Sequence, residues 1–296
     1  MPSIEGRMTA ADSTVLLTRH WPADEAEAGG AWAGEAWASV LIVPGLGEHS
    51  GRYEHVGDQM AAAGLDVYAY DPRGNGGSDG RRGHVDRWCE YHDDLGKRLA
   101  AVRHAAGGRP VVLYGHSMGG LVVAGYCLSD RPGPDVVVLG SPGLDADLPD
   151  WKKVAARVLG RLAPTMGIPN GIQGAWLSRD PSVGARTVDD PRCAKVSTAR
   201  FGAEALREQA RVRGLAAEGL GVPTLVLQGL DDRLVPPRAS EVFATAPLTE
   251  RRTFPGLRHE LPNEPEGPEI VDGVIAWLRE RLGAPTGTVA EAPVVG

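Results

Sequence analysis

Val111-Val112-Leu113-Tyr114-Gly115-His116-Ser117-Met118-Gly119-Gly120 is the stretch whose reading decides the fold. Its first half is a short, β-branched apolar run, the composition of a strand buried on both faces. Gly-x-Ser-x-Gly follows at once, and Leu121-Val122-Val123-Ala124-Gly125-Tyr126 continues it as a helix. A strand entering a helix through that motif puts Ser117 on a strained turn, with its hydroxyl raised above the sheet. The same spacing occurs in ordinary glycine-rich loops. Here the flanking strand and helix predict a nucleophilic serine.

Outward from this elbow, strand-like runs and helical patterns alternate. Thr14 to Trp21 reads as an early edge strand, with Ile4-Glu5-Gly6-Arg7 leading into it. Residues 23–35, rich in Ala, Gly and Glu, read as a surface turn. Ser39 to Val43 is a strand ending at Pro44-Gly45-Leu46-Gly47, and Arg52 to Ala63 a helix stopped by Gly64. Leu65 to Tyr70 is the next strand, closed by Asp71-Pro72-Arg73-Gly74-Asn75-Gly76-Gly77. Asp86 to Ala106 is a long helix ending in Gly107-Gly108, and Val136 to Leu139 and Thr224 to Leu227 are further buried strands. Ile270, Val274, Leu278 and Leu282 recur at helical spacing before Gly283. The residues after 283 have few large apolar side chains and read as a disordered tail.

This alternation predicts an α/β fold with a mainly parallel central sheet flanked by helices. Between Leu144 and Gly221 it breaks into helical segments, Trp151 to Leu162 and Gly202 to Arg213, with no clear strand. The expected division is a core of residues 5–144 and 221–283, with a helical cap, 145–220, inserted between them. Such a cap roofs the C-terminal edge of the sheet, where open α/β folds bind ligands.

The 296 residues suffice for one large core or a core plus a lid. With 31 Lys and Arg against 38 Asp and Glu, and no basic cluster, a nucleic-acid partner is excluded. The longest apolar runs are far short of a membrane span, and the N-terminus has no apolar secretion signal. Cys89, Cys127 and Cys193 are too scattered for a disulfide framework and fit the reduced thiols of a cytoplasmic protein.

A serine hydroxyl needs a base, and the base an orienting carboxylate. After the strand Thr224 to Leu227 comes Gln228-Gly229-Leu230-Asp231-Asp232. Either aspartate can serve; consecutive side chains point different ways, so only one faces a histidine and the other stabilises the turn. His259 follows the acid and precedes the last helix. His116, next to the nucleophile, is read as structural. The oxyanion of a tetrahedral intermediate needs backbone N–H donors. Met118, directly after the nucleophile, supplies one, and Leu46, flanked by Gly45 and Gly47, the other.

With these pieces in place, the chain resembles the monoacylglycerol lipase-like serine hydrolases of the α/β-hydrolase family. The likeness rests on Gly45-Leu46-Gly47-Glu48-His49-Ser50-Gly51-Arg52-Tyr53, Asp71 to Ser78, Gly115 to Gly120 and Gly229 to Val235. Leu177-Ser178-Arg179-Asp180-Pro181 in the insertion adds to it, and the match runs from about Glu5 to Leu282. The resemblance implies Asp232, third after Gly229, as the acid that completes the set with Ser117 and His259. It also implies Leu46 and Met118 as oxyanion donors, and hydrolysis of acylglycerols or related esters with no metal or organic cofactor. Two departures stand out. Pro44 replaces the family's His before Gly45, and Asp71-Pro72-Arg73-Gly74-Asn75-Gly76 replaces Asp-His-x-Gly-His-Gly. Pro44 has no N–H and no imidazole, so the oxyanion loop must be braced from elsewhere.

In the insertion, Trp151, Val154, Val158, Leu159 and Leu162 fall at helical spacing, followed by Met166, Ile168, Ile172, Trp176 and Leu177. Much of this face is expected to pack down on the sheet. Trp151, Val154, Val158, Ile172, Trp176 and Leu177 are the candidates to line an acyl site. By analogy with the family, the outer face is a candidate for peripheral membrane contact, while Lys152, Lys153, Arg157 and Arg161 read as a solvated face. The leading expectation is a serine carboxylic-ester hydrolase acting on a lipid ester, monomer or dimer being left open. An aminopeptidase or amidase would need acidic cap residues such as Asp145, Asp147 and Asp150 to converge on a substrate amine. A non-catalytic binding scaffold would draw its support from Pro44.

Overall fold

The computed structural model describes residues 3–24 and 36–284. The predicted surface turn at 23–35 and the C-terminal tail therefore fall almost wholly outside the described residues. Strands β1 (Ile4–Thr9), β2 (Val15–Trp21), β3 (Ala38–Val43), β4 (Leu65–Tyr70), β5 (Val111–His116) and β6 (Val136–Gly140) come first. Helices α1 (Glu54–Ala62), α2 (Cys89–Ala106) and α3 (Met118–Cys127) join them. An insertion carries α4 (Asp150–Leu162), β7 (Gly167–Pro169), α5 (Pro181–Asp189), β8 (Val196–Thr198) and α6 (Ala199–Leu215). The chain then returns through β9 (Thr224–Gly229), β10 (Thr249–Phe254) and α7 (Gly267–Leu282).

Eight strands form one sheet in the order β1-β2-β4-β3-β5-β6-β9-β10. All neighbours from β4 to β10 run parallel, and β1 and β2 run antiparallel. The central strands are buried throughout because alternate side chains enter different cores. Leu41, Val43, Leu113, Val137 and Leu139 join Leu95, Leu99 and Val102 of α2 and the apolar residues of α3. Val40, Ile42, Val112, Tyr114 and Val138 join Val56 and Met60 of α1 and Ile270, Val274 and Leu278 of α7. Gly107 and Gly283, both left-handed, end α2 and α7 as the sequence predicts.

Three expectations are corrected. Thr14–Trp21 is not the edge: β2 lies between β4 and an additional strand, β1, which contains Ile4-Glu5-Gly6-Arg7. That edge strand is mostly exposed, so it has no apolar alternation to read. The insertion does contain strands, β7 and β8, paired antiparallel over three residues each. They are too short to leave a pattern. Finally, α4 does not lay its apolar face on the sheet. It packs on α6 where Gly160 meets Ala199 and Ala203, leaving Trp151 68 % and Leu162 80 % exposed.

Register sets where the strands end. Val43 pairs with Gly115, His116 with Gly140, Gly140 with Leu227, and Gly229 with Phe254. The parallel strands therefore finish at one margin, and the residues just beyond them emerge together. The insertion meets the same margin: Ala194 N–H donates to Gly47 O at 2.7 Å and Glu260 N–H to Leu177 O at 2.8 Å.

Candidate active site

Ser117 stands between β5 and α3 with φ 51° and ψ −117°, a positive-φ backbone that a residue with a side chain adopts only when its surroundings hold it there. Its N–H donates to Gly140 O at 2.9 Å, and its carbonyl accepts from Gly143 N–H at 2.8 Å. The helix that follows presses directly on β3. A Cβ on Gly119 would lie 1.9 Å from the carbonyl oxygen of Val43, so only glycine fits.

Asp232 and Asp231 are separated by their surroundings. Asp231 is exposed, its backbone N–H bound to Leu257 O at 2.9 Å. Asp232 is buried, and its Oδ1 accepts from the N–H groups of Leu234 and Val235 at 2.8 and 2.9 Å. Its Oδ2 receives Gln228 Nε2 at 3.2 Å and His259 Nδ1 at 2.7 Å. Burial works against this carboxylate's charge, but the imidazole and the backbone donors hold its pKa below the ordinary value.

His259 lies in the loop after β10, 3 % exposed, with its carbonyl accepting from Ser141 Oγ at 2.8 Å. Burial disfavours its charged form, yet Asp232 outweighs burial and the net pKa is raised. With Nδ1–H committed to Asp232, the proton-accepting nitrogen is Nε2. The ring lies 4.9 Å from that of His116, the residue before Ser117, which sets the imidazole beside the elbow. His116 is buried and its pKa is pushed down to about 4 by burial and by His259.

The loop after β3 sits against Ser117: a Cβ on Gly45 would approach Ser117 Cβ to 3.2 Å. Leu46, in this loop, is half-buried, and Met118, opening α3, is buried. Sequence reasoning assigned no role to the group that holds this loop. Glu48, buried, accepts the Gly45 N–H at 2.5 Å and the Tyr53 hydroxyl at 2.6 Å through Oε1. Arg52 bridges Glu48 Oε2 at 3.1 Å and Glu260 Oε2 at 2.8 Å, and Asn263 Nδ2 donates to the same Glu260 oxygen at 2.7 Å. Burial raises the Glu260 pKa, while for Glu48 it is overcome by Arg52 and His116 and the carboxyl is held low. The i,i+4 spacing of Glu48 and Arg52 was the available signal, but it does not reveal that both are buried.

His49, Asp190 and Cys193 bring potential ligand atoms within 4.8 Å of one another. Hydrogen bonds already account for His49 and Asp190. His49 Nδ1 accepts from Gly51 N–H at 3.2 Å, its Nε2 faces Asp190 at 2.9 Å, and Arg192 holds Asp190 at 2.9 Å. Burial pushes the Cys193 thiol up to about 11.

The insertion residues chosen from sequence are divided. Trp151, Val154 and Val158 lie on the exposed face of α4. Ile172 and Trp176 are half-buried, and Leu177 is buried where its carbonyl meets the His259 loop. The acidic residues do not converge: Asp147 pairs with Arg238, and Asp145 caps the N–H groups of Ala146 and Asp147.

A nucleophile-elbow serine, with a carboxylate–imidazole pair at the C-terminal margin of a mainly parallel sheet, defines an α/β hydrolase. The family profile described as "Serine aminopeptidase, S33" matches residues 34–266, and the chain belongs to that family of serine hydrolases. It is 34 % identical over 248 residues to a monoacylglycerol lipase of Mycolicibacterium smegmatis, covering 82 % of this chain and 88 % of that one. The human monoglyceride lipase is 30 % identical over 292 residues, covering 95 % and 91 %. A crystal structure of the Paleococcus ferrophilus monoacylglycerol lipase superposes with a TM-score of 0.76 at 30 % identity, covering 90 % and 99 %.

Proposed function

We propose that this chain hydrolyses monoacylglycerols, or closely related acyl esters, through an acyl-enzyme on Ser117. The observation that carries the reading is the buried pair of His259 and Asp232, 2.7 Å apart, beside the strained serine turn. Ser117 Oγ attacks the ester carbonyl while His259 Nε2 takes its proton. The N–H groups of Leu46 and Met118 receive the developing oxyanion. Collapse expels the glycerol oxygen, which takes the proton from His259. Water, deprotonated by the same nitrogen, then attacks the acyl-enzyme and frees the fatty acid, returning the proton to Ser117. Asp232 keeps the imidazole in the required tautomer throughout.

In this reading residues 145–220 are a cap over the site, with Ile172, Trp176 and Leu177 near the acyl chain. The names of the relatives support a lipid ester as substrate. The exposed face of α4 (Trp151, Val154, Val158 and Leu162), continued by Met166 and Ile168, is suited to rest on a membrane or micelle surface. Among the described residues no helix is long and apolar enough to cross a membrane. The three free thiols fit a cytoplasmic setting. The acidic residues an aminopeptidase reading would use, Asp145 and Asp147, are committed to other partners, and Pro44 does not leave the oxyanion loop unbraced, because Glu48 holds it.

The test is a chain-length series of glycerol and nitrophenyl esters on wild type, Ser117→Ala and His259→Ala, with an aminoacyl anilide alongside. We expect ester turnover in wild type, stoichiometric fluorophosphonate labelling at Ser117, and loss of both in Ser117→Ala. Full hydrolysis of monoacylglycerol by Ser117→Ala, or preference for the anilide, overturns the reading.

A further inference from the structure

We propose that Glu264 is a positioning residue that couples the insertion to the His259 loop, so that the histidine is held in place only while the insertion is docked. The inference rests on His259 being the base proposed above. Glu264 lies five residues beyond it, with its side chain 0 % exposed. One carboxylate serves two segments. Its Oε1 accepts at 2.6 Å the N–H of Arg258, the residue immediately before His259. Its Oε2 accepts the Arg179 N–H at 2.9 Å and Arg179 Nε at 3.1 Å, both in the insertion.

Around this carboxylate the two segments are fastened at several further points. Ser178 Oγ, 3.3 Å from Oε2, donates to Asn263 O at 2.8 Å. Arg258 Nη1 donates back to the carbonyls of Ala175 and Ser178 at 2.7 and 2.8 Å. Glu260 N–H meets Leu177 O at 2.8 Å, and Arg179 also pairs with Glu266. His259 is thus flanked on both sides by residues whose backbone N–H groups are bound outside their own turn, Arg258 to Glu264 and Glu260 to Leu177. A buried carboxylate accepting three or more donors needs all of them in place, since each oxygen left unmatched is a desolvated charge. Moving the insertion off this contact would strip Oε2 of Arg179 and loosen the peptide that aims the imidazole. The sequence signal was Leu177-Ser178-Arg179-Asp180-Pro181, a run that the proposed acyl site uses only at Leu177.

The experiment measures the rate of fluorophosphonate labelling at Ser117, which reports base activation without an acyl chain in the cap, together with melting temperature and kcat and KM on monoacylglycerol. Glu264→Gln keeps the shape but turns an N–H₂ toward one of the two backbone donors. It is expected to slow labelling about 10- to 100-fold, the scale of a small misplacement of a reacting group, with melting within a few degrees of wild type. Ser178→Ala/Arg179→Ala removes the insertion's side-chain donors to this contact while leaving the Arg179 N–H; it is expected to slow labelling about threefold or more and to raise KM for monoacylglycerol. If Glu264→Gln does not fold, the double variant decides. Labelling at the wild-type rate in the folded variants, or slowing that only follows lost folding, overturns the coupling while leaving the Ser117 reading intact. Failure of wild type to label at Ser117 overturns that reading and the coupling with it.

Discussion

Glu48 accepts a hydrogen bond from the backbone N–H of Gly45 at 2.5 Å, across the turn in which Pro44 stands. A proline has no N–H to fasten that turn, and the carboxylate four residues on does it instead. Because Glu48 is also tied to Tyr53 and Arg52, the loop that carries Leu46 is held by a buried charge rather than by its own backbone.

Glu48→Ala should therefore lower kcat on a nitrophenyl ester about 100-fold with little change in KM, and Glu48→Gln, which keeps one acceptor, about tenfold. Removing the carboxylate also leaves Arg52 partly unpaired in the interior, at a cost of about 3 kcal/mol in stability. Steady-state kinetics and urea unfolding check both. A Glu48→Ala variant with wild-type kcat would mean that the loop is braced by something else.

In the proposed reaction His259 must be neutral to accept the serine proton. Since Asp232 raises the His259 pKa above 6.5 despite burial, the acidic limb of kcat/KM should titrate above that value. Asp232→Asn should move the limb downward and cut turnover about 10⁴-fold, by releasing the tautomer. The raised His259 pKa stabilises the fold below about pH 6.5 and loses this contribution as pH rises through the folded value; the lowered Asp232 pKa acts above about pH 4 and is lost as pH falls through its folded value. A pH–rate series from 5 to 9 settles the first point, and a limb below 6.5 would contradict it.

Two other histidines act in the opposite sense on acid stability. His92, between α2 and α6, has its pKa pushed down to about 4 by burial, although Glu208 lies 3.4 Å away. His116 reaches about 4 for the reason already given. Between pH 6.5 and 4 the unfolded chain binds these protons and the folded chain does not. Stability should fall over that window, by on the order of 1–3 kcal/mol per group. Melting temperature should drop as pH is lowered from 7 to 4.5, and less so in His92→Gln. A flat profile would show that these histidines are not held neutral.

Gly119→Ala tests the packing of the elbow itself. The added methyl would overlap the Val43 carbonyl, and Pro44 O lies 2.6 Å from the same point. Neither is a flexible side-chain end. The variant should lose about 2–4 kcal/mol of stability, as overpacking against backbone does, and lose ester turnover more than it loses fold, because α3 and the loop after β3 carry the two N–H groups proposed to bind the oxyanion. Gly202→Ala, where a Cβ meets nothing within 4 Å, is the control and should be neutral or slightly stabilising. Calorimetry on the pair distinguishes a steric clash from a general intolerance of alanine.

The local grammar of the chain was enough for the sheet and for the elbow. Strands buried on both faces write themselves as apolar runs, glycines mark the helix ends, and Gly-x-Ser-x-Gly demands its own turn. β1 was missed because an exposed edge strand exists only through its partner, and β7 and β8 because three residues are too few for a period. The outward face of α4 was misread because amphipathic spacing says that one side is apolar, not which way that side points.

The tertiary structure decided what no local pattern contains. The family resemblance singles out Asp232 by its place after Gly229, but the physical difference from Asp231 exists only in the folded chain, which buries Asp232 against His259 and leaves Asp231 exposed. Glu48, Arg52 and Glu260 are ordinary charges in the sequence, separated by up to 212 residues, and become one network because strand register brings the loops after β3 and β10 to the same margin. Sequence alone thus determined the buried strands, the main helices and the elbow, since these depend on side chains a few positions apart. Which groups face each other depends on burial and on pairings made across the sheet, and these exist only once the chain has folded.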